Sequence, residues 1–302
     1  MRIVMALGGN ALLRRNEMPD VETQRRNIHR AVELGVAPIA RSHDVVITHG
    51  NGPQIGLLAL QAAALPGVRA SPLDLLGAES EGMIGYLIGV ALANALPDRE
   101  IATLLTQVEV DPGDPAFATP TKPIGPLYSE AEVARLSGQV SWRMIRDGDS
   151  WRRGVASPEP RRIREIVTIR RLLSAGVIVV CAGGGGIPVT VTPASGLAGI
   201  EAVIDKDLTA ALLAEAIGAD VLLLLTDVPA VWTRWPMPEG TPIHEATPAD
   251  LRALTFAGGS MGPKVEAACR FVERTGRDAH IGAIDQAEAV LAGTVGTLVR
   301  RA

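Results

Sequence analysis

Short apolar runs alternate with amphipathic stretches along nearly the whole chain. Strands buried on both faces of a sheet are predicted at four almost wholly apolar runs, residues 3–7, 45–48, 177–180 and 221–225. Between and beside them, apolar residues recur at helical spacing, most clearly over 21–41, 73–96, 165–175 and 206–217. This alternation predicts an α/β fold with a mainly parallel sheet and helices on both of its faces.

The same pattern predicts further elements after and between these. We expect strands at 101–107, 278–283 and 296–299, and helices at 247–254, 265–274 and 285–292. The helix at 73–96 carries Gly82, Gly85 and Gly89 near one stripe, which favours close packing. That contact could lie inside the chain or between subunits, and the sequence favours neither.

The segment 111–126 interrupts the alternation. It holds five prolines together with Lys122, so it cannot be central sheet or helix interior, and it predicts the start of a small arm or lid. The continuation at 141–164 carries seven arginines with Trp142 and Trp151. A solvated face is the favoured interpretation of this basic run, and a phosphate-binding patch is the alternative.

Composition narrows the class of protein. A net charge of −4 and 3% aromatic residues argue against a nucleic-acid binder. The chain begins directly with a strand and its longest apolar run, 82–96, is too short to span a bilayer, so we expect a soluble cytoplasmic protein. Cys181 and Cys269 are interpreted as small core residues, and the five histidines show no metal-ligand spacing.

Glycine-rich loops follow the predicted strands or open the predicted helices, at 8–10, 50–56, 183–186 and 256–264. Such loops let backbone N–H groups approach an anion, and the carboxyl ends of parallel strands are where open sheets bind ligands. Gly50, Gly52 and Gly56 match a dinucleotide fingerprint only loosely, because Pro53 stands inside it. The P-loop motif and the protein-kinase motif set are both absent from the sequence.

Lysine is rare in this chain and its positions are therefore informative. Of 29 basic residues, only Lys122, Lys206 and Lys264 are lysines, and each stands beside Pro, Asp or Gly. A compact ammonium group suits a tight phosphate site better than the wide guanidinium fork does. Lys206 stands between Asp205 and Asp207 at a helix N-terminus, where anions bind. Leftover surface lysines are the weaker interpretation.

These motifs, in this order, resemble those of carbamate kinases in the amino acid kinase family. The matching pieces cover nearly the whole chain and are ALGGNAL at 6–12, THGNGPQIG at 48–56, LLTQVEVDP at 104–112, PTKPIGP at 120–126, CAGGGGIPV at 181–189, VIDKD at 203–207 and GSMGPKVEAA at 259–268. The resemblance implies a three-layer αβα sandwich around an open, mostly parallel sheet with a small protruding subdomain. It implies one domain over 1–302, with an N-terminal carbamate lobe at about 1–200, the subdomain at about 114–164 and a C-terminal nucleotide lobe at about 201–302.

The resemblance also implies reversible phosphoryl transfer between ATP and carbamate, in arginine catabolism, by a cytoplasmic homodimer. Mg²⁺ would be held through the nucleotide phosphates and not by a protein metal site. The implied catalytic residues are Lys122, Lys206, Asp207 and Lys264. Carbamate and phosphate oxygens would meet Gly8, Gly9, Asn10, Gly50, Asn51, Gly52, Gly184 and Gly185, with backbone N–H groups donating at Gly8, Gly9, Gly52, Gly184 and Gly185. The nucleotide would contact Lys206, Thr226, Asp227, Ser260, Met261 and Lys264.

Two departures from the family pattern leave alternatives open. VASPEP at 155–160 replaces a more usual run, and Asp227 stands where the family often has glycine. One alternative is a kinase of another small carboxylate or phosphonate on the same fold. The other is a nucleotide-binding sensor without catalysis, against which the presence of all three lysines and Asp207 argues.

Overall fold

The structure is a computed structural model that describes most of the chain. It describes residues 1–13, 17–18, 20–64, 70–138, 142–193, 196–234, 240–256 and 261–302, without the side chains of Asn10 and Ala11. Ser260, one of the predicted nucleotide-binding residues, therefore lies outside the described residues, as does the side chain of Asn10.

The strands, numbered in chain order, are β1 (Arg2–Leu7), β2 (Asp44–His49), β3 (Ile101–Thr103), β4 (Gln107–Glu109), β5 (Lys122–Tyr128), β6 (Met144–Asp147), β7 (Ser150–Val155), β8 (Arg162–Ile163), β9 (Ile178–Val180), β10 (Ile187–Thr192), β11 (Gly196–Gly199), β12 (Val221–Thr226), β13 (Val231–Trp232), β14 (Pro242–Ile243), β15 (Glu245–Ala246), β16 (Ala279–Ala283) and β17 (Thr297–Val299).

The helices are α1 (Gly9–Leu12), α2 (Val21–Ala31), α3 (Ala37–Ala40), α4 (Gly52–Ala63), α5 (Leu73–Ala95), α6 (Pro115–Ala118), α7 (Glu130–Ser137), α8 (Ile166–Ser174), α9 (Lys206–Ile217), α10 (Pro248–Arg252), α11 (Met261–Thr275) and α12 (Ala287–Leu291). A π-helical turn, Val32–Val36, joins α2 to α3. This wider turn precedes Pro38, which has no N–H to donate inside a helix.

The central sheet has eight strands in the order β15-β17-β16-β12-β1-β2-β9-β3. All neighbours in it are parallel except β16 and β17, which run antiparallel. Side chains of β1 alternate between two hydrophobic clusters: Val4 and Ala6 belong to one, and Ile3, Met5 and Leu7 to the other. Helices α8, α9 and α11 cover the first face, and α2, α5 and α12 cover the second. The predicted three-layer αβα sandwich is confirmed.

A separate three-stranded sheet is built by the proline-rich segment and its continuation. Its strand order is β5-β7-β6, antiparallel throughout, and α7 connects β5 to β6. Several arginines of this region are ion-paired, for example Arg153 with Glu201 and Arg164 with Glu109. Arg146 and Arg153 also lie over the rings of Trp151 and Trp142. These contacts favour a structural role over a phosphate-binding patch, and the largely buried side chain of Arg153 is not part of a solvated face.

The prediction of one strand over 101–107 is wrong. β3 ends at Thr103 and joins the central sheet, whereas β4 begins at Gln107 and pairs with β10 and β8 in a second sheet. Between them Thr106 is fully buried, and its N–H donates to the Glu81 carboxylate at 3.1 Å. Because this carboxylate takes the backbone hydrogen bond, the ladder cannot continue through the segment.

The stripe of glycines on α5 is an internal packing contact. A Cβ on Gly85 would lie 2.5 Å from Thr103 Cγ2, and one on Gly89 would lie 3.4 Å from Thr103 Oγ1. The sequence had left open whether this stripe packs inside the chain or between subunits, and these distances place it against β3.

Helix α5 is longer than the apolar run considered from the sequence. It has 23 residues and contains an 18-residue window with a mean hydropathy of 1.3, so by length and composition alone it could cross a membrane. Half of this apolar window is buried inside the protein, and a core helix gives the same signal. The apolar run 82–96 coincides with only the second part of this longer helix, and the burial accounts for its apolar character.

Candidate active site

The glycine-rich loops meet at one edge of the central sheet. The N–H of Gly8, just after β1, donates to Leu225 O of β12 at 2.8 Å, and the N–H of Gly50, just after β2, donates to Leu7 O at 3.0 Å. The hydroxyl of Thr48 donates to Ala182 O, beyond β9, at 2.8 Å. The carboxyl ends of four neighbouring strands are thereby tied together, which is where an open parallel sheet binds its ligand.

Lysine 206 reaches over two of these loops. A Cβ on Gly50 would lie 2.9 Å from Gly9 N and 3.2 Å from Lys206 Cε, so only glycine fits there. Lys206 is the first residue of α9, and its neighbour Asp205 caps that helix by accepting from the N–H groups of Asp207 and Leu208. The cap fixes the position from which the lysine side chain starts.

The three lysines converge on two aspartates. The ammonium group of Lys206 lies 2.6 Å from Asp207 Oδ1, and that of Lys264 lies 3.3 Å from Asp207 Oδ2. Lys122, from the start of β5, donates to Asp205 Oδ2 at 3.0 Å and to Ile204 O at 3.1 Å. Three positive and two negative side chains leave one excess positive charge in a largely buried cluster, which favours the arrival of an anion.

Burial shifts the pKa values of these groups. Loss of water lowers the pKa of Lys206 to about 8, and the charge of Lys264 adds to this although Asp207 opposes it. For Lys264 burial also acts downward, but Asp207 outweighs it and the pKa is raised. Burial disfavours the charged form of Asp205, yet Lys122 and Lys206 overcome this and hold its pKa well below the usual range. The net charge of the cluster therefore depends on whether Lys206 is protonated.

The glycine-rich loop after β9 is packed against the loop after β2. Ala182 adopts a left-handed conformation with φ of 52°, held by Thr48 and by Thr106, whose hydroxyl accepts from Ala182 N at 2.9 Å. A Cβ on Gly184 would overlap the amide of Asn51. Asn51 is itself buried and donates to Ser80 Oγ at 2.8 Å. The two loops therefore form adjoining walls of one site.

Two of the five predicted oxyanion donors already have a hydrogen-bond partner within the chain. The N–H groups of Gly8 and Gly185 donate to the carbonyl oxygens of Leu225 and Ala182 respectively. Gly9 and Gly52 begin helices, where the first N–H groups have no partner within the helix. Among the described residues, Gly184 N makes no backbone hydrogen bond.

The predicted nucleotide-side residues lie at the ends of β12 and α11. Thr226 is buried and donates to the carboxylate of the exposed Asp227 at 3.0 Å. A Cβ on Gly8 would lie 3.5 Å from Thr226 Cα, so this strand end adjoins the first glycine loop. Helix α11 begins at Met261, earlier than the predicted start at 265, and its first turn includes Lys264.

A family model described as "Amino acid kinase family" matches residues 1–283. This chain belongs to the amino acid kinase family. It is 53% identical over 302 residues to a carbamate kinase of Rhizobium meliloti, with 99% of this chain and 93% of that protein covered. It is 51% identical to a carbamate kinase of Haemophilus influenzae, covering 100% of this chain and 97% of that protein. A solved structure of carbamate kinase from Giardia lamblia bound to AMP-PNP matches with a TM-score of 0.88 and 38% identity, covering 100% of this chain and 98% of that one.

The sequence singled out only part of the polar frame that supports this amino acid kinase site. Its predicted site residues include Asp207 but not Asp205, which pairs with Lys122. It missed Ser80, Glu81 and Thr106, whose side chains reach the glycine loops from elsewhere in the fold. The polar run Glu79-Ser80-Glu81 in a mostly apolar predicted helix was the only local sign of the first two, and it does not show which of its members are buried.

The described residues include no group of three or more metal-ligating side chains. Asp205 and Asp207 are occupied by lysine ammonium groups and backbone N–H donors. This donor set fits a divalent ion carried by nucleotide phosphates better than an ion bound by the protein.

Proposed function

We infer that the protein is a carbamate kinase, which transfers a phosphoryl group reversibly between ATP and carbamate. The convergence of all three lysines of the chain on Asp205 and Asp207, at the carboxyl ends of β1, β2, β9 and β12, carries this inference. Full-length relatives at more than 50% identity are carbamate kinases. In the ATP-forming direction, an oxygen of the ADP β-phosphate attacks phosphorus, and the bond between phosphorus and the carbamate oxygen breaks.

Carbamate leaves, or attacks in reverse, as an anion, so the reaction needs no general base. Catalysis then rests on holding the two substrates in line and on neutralising the charge that spreads over the transferring group. Fixed ammonium groups in a dry site do this without reorganising solvent.

We propose that Lys206 and Lys264 bind the nucleotide phosphates and the transferring phosphoryl group. Asp207 holds both ammonium groups in fixed positions, because each of its carboxylate oxygens contacts one of them. Lys122 approaches from the carbamate side, carried on the small sheet of β5, β6 and β7.

The carbamate and phosphoryl oxygens are proposed to meet the N–H groups of Gly9, Gly52 and Gly184, with Asn51 orienting the substrate. Gly8, Gly50 and Gly185 would shape the pocket by leaving room for close approach. Asn10, in the first glycine loop, is proposed to join the residues that meet carbamate and phosphate. On the nucleotide side we propose Thr226, Asp227 and Met261, together with Ser260, which precedes α11 in the sequence.

Mg²⁺ is proposed to enter bound to the nucleotide phosphates, where it neutralises charge during transfer. Activity should vanish in excess EDTA and return with Mg²⁺, without any loss of thermal stability of the protein alone. A resident metal would instead lower the stability when it is removed.

We further propose a carbamate lobe at about 1–200, a nucleotide lobe at about 201–302, and a protruding subdomain at about 114–164. A homodimer in the cytoplasm, acting in arginine catabolism, completes the proposal. Light scattering after gel filtration tests the dimer: two chains of 31.6 kDa give 63.2 kDa, and a mass of one chain would contradict it.

The experiment that tests the function is a substrate screen with the purified protein. ATP formation from ADP, Mg²⁺ and carbamoyl phosphate is compared with ATP-dependent phosphorylation of aspartate, glutamate and acetylglutamate. We expect robust ATP formation from carbamoyl phosphate and ADP, and no phosphorylation of the other three acids. Turnover on another acid instead would keep the fold and discard the substrate, and ADP binding without any turnover would favour a sensor.

A further inference from the structure

Two consecutive residues of α5, Ser80 and Glu81, are buried next to the site, although most of that helix is apolar. Their exposed fractions are 0% and 1%. A helix-interior serine and a carboxylate this deeply buried cost stability unless specific partners compensate. Their partners are the two loops that we assign to carbamate.

Glu81 binds the chain at two separate places. Its Oε1 accepts from Gly183 N at 2.9 Å and its Oε2 from Thr106 N at 3.1 Å. Within the described residues no lysine or arginine forms a salt bridge with it, and burial raises its pKa to about 8. One carboxylate thus anchors the glycine-rich loop to the segment that crosses between the two sheets.

Ser80 fixes the side chain of Asn51. Its Oγ accepts from Asn51 Nδ2 at 2.8 Å and donates to Gly77 O at 2.9 Å. The serine is therefore held in turn by its own helix, and the Asn51 amide has one defined orientation. A Cβ on Gly184 would overlap that amide, so the orientation of Asn51 also sets where the glycine-rich loop can lie.

The space around Gly183 shows how tightly this arrangement is packed. A Cβ there would overlap the ring of His49 and would lie 3.1 Å from Glu81 Cγ. The loop after β9 therefore packs against the loop after β2 on one side and against one turn of α5 on the other. A shift of this turn would move both walls of the pocket together.

We propose that Ser80 and Glu81 are positioning residues, which set the distance between Asn51 and the Gly183–Gly185 loop for binding of carbamoyl phosphate. This rests on the proposed function of the site. Neither residue needs to touch substrate. Because they act on the carbamate-side loops and not on Lys206 or Lys264, their loss should affect carbamoyl phosphate far more than ADP.

The test compares Glu81→Gln and Ser80→Ala with the control Glu79→Gln, which neutralises an exposed carboxylate two residues away on the same helix. Glutamine keeps the shape of Glu81, but its NH₂ group faces one of the two N–H donors. We expect each site variant to raise KM for carbamoyl phosphate about tenfold, the effect of one lost hydrogen bond, and to leave ADP affinity by calorimetry nearly unchanged.

A double-mutant cycle tests whether Ser80 acts through Asn51. Ser80→Ala should have little further effect once Asn51 is replaced by alanine, because the group that it orients is gone. A full additional loss in that background would mean that Ser80 acts elsewhere and would overturn this half of the proposal.

Exchange of the Gly183 amide, followed by NMR on glycine-labelled protein, gives a readout that does not require turnover. It should accelerate in Glu81→Gln and remain slow in Glu79→Gln. Unchanged exchange, unchanged KM, or an equal loss of ADP and carbamoyl phosphate binding would contradict the proposal. If Glu81→Gln fails to fold, Ser80→Ala decides it through the same KM ratio. Failure of the wild type to use carbamoyl phosphate would overturn the proposed function, while the amide exchange would still report on the hydrogen bond between Gly183 and Glu81.

Discussion

At the scale of single residues, the site is defined by the few places where this chain uses lysine. Arginine serves nearly everywhere else, yet the ammonium groups of Lys206 and Lys264 share one carboxylate, and Lys206 Cε would lie 3.2 Å from a Cβ on Gly50. A guanidinium group is wider and cannot occupy that space with the same contacts. The identity of the cation is therefore part of the geometry of the site.

The substitution Lys206→Arg tests this point directly. We expect kcat to fall by at least about tenfold, which corresponds to roughly 1.4 kcal/mol of barrier, while the fold is retained. Steady-state kinetics with circular dichroism measures both. Arg274→Lys, an exposed exchange in the opposite direction, should leave kcat unchanged. Wild-type turnover in Lys206→Arg would contradict the proposed role of Lys206 in binding the phosphates.

The charge of Lys206 should also appear in the pH dependence. Its pKa of about 8 lies below the ordinary value because of burial, so the free enzyme loses this positive charge as the pH rises through about 8. We expect kcat/KM for ADP to fall above that pH, since kcat/KM reports groups of the free enzyme. Bound phosphate favours the ammonium form, so kcat should persist to higher pH.

Lys206→Arg supplies the control for the pH profile. Its guanidinium stays charged throughout the range, so the fall in kcat/KM above about pH 8 should be absent, although the absolute rate is lower. The same alkaline fall in this variant would mean that another group causes it.

At the scale of elements, the glycine-rich loop after β9 depends on close packing as well as on backbone freedom. Gly184, Gly185 and Gly186 have positive φ, which favours glycine, but Gly183 does not. Glycine at 183 is required by space, because the ring of His49 and the Glu81 side chain occupy the volume that a Cβ would need.

Replacing Gly183 by alanine should therefore destabilise the protein by overpacking, by about 1–3 kcal/mol, and lower activity with it. Denaturant unfolding measures the free-energy change. The matched control is Gly77→Ala in α5, where a Cβ meets nothing within 4 Å and alanine should be neutral or slightly stabilising. Equal stability of Gly183→Ala and the wild type would show that the loop can shift to accommodate the added methyl group, and would contradict the prediction.

The elements themselves were largely predictable, and the exceptions have a common cause. Apolar runs in the sequence correctly predicted β1, β2, β9 and β12, because strands buried on both faces of a sheet contain few polar residues. The break between β3 and β4 was missed because the Glu81 carboxylate, distant in sequence, takes the N–H of Thr106. The same long-range contacts hid Ser80 and Glu81, whereas local sequence already marked Lys206 and Asp207.

At the scale of the whole molecule, the site gathers groups that are far apart along the chain. Lys122 reaches Asp205 from the small sheet. Lys264 reaches Asp207 from α11, which lies near the end of the sequence, whereas the first glycine loop lies near its beginning. Only the order of the strands brings these segments to one edge. The sequence motifs indicated which segments belong to the site, but the pairing of each lysine with its aspartate required the fold.

The central claim is that this lysine and aspartate cluster transfers a phosphoryl group between carbamoyl phosphate and ADP. The most direct test is the rate of ATP formation from ADP, Mg²⁺ and carbamoyl phosphate by the wild type and by Lys206→Ala. The account predicts robust ATP formation by the wild type and its near-complete loss in the variant, which should remain folded. No ATP from the wild type, or undiminished ATP formation by Lys206→Ala, would contradict it.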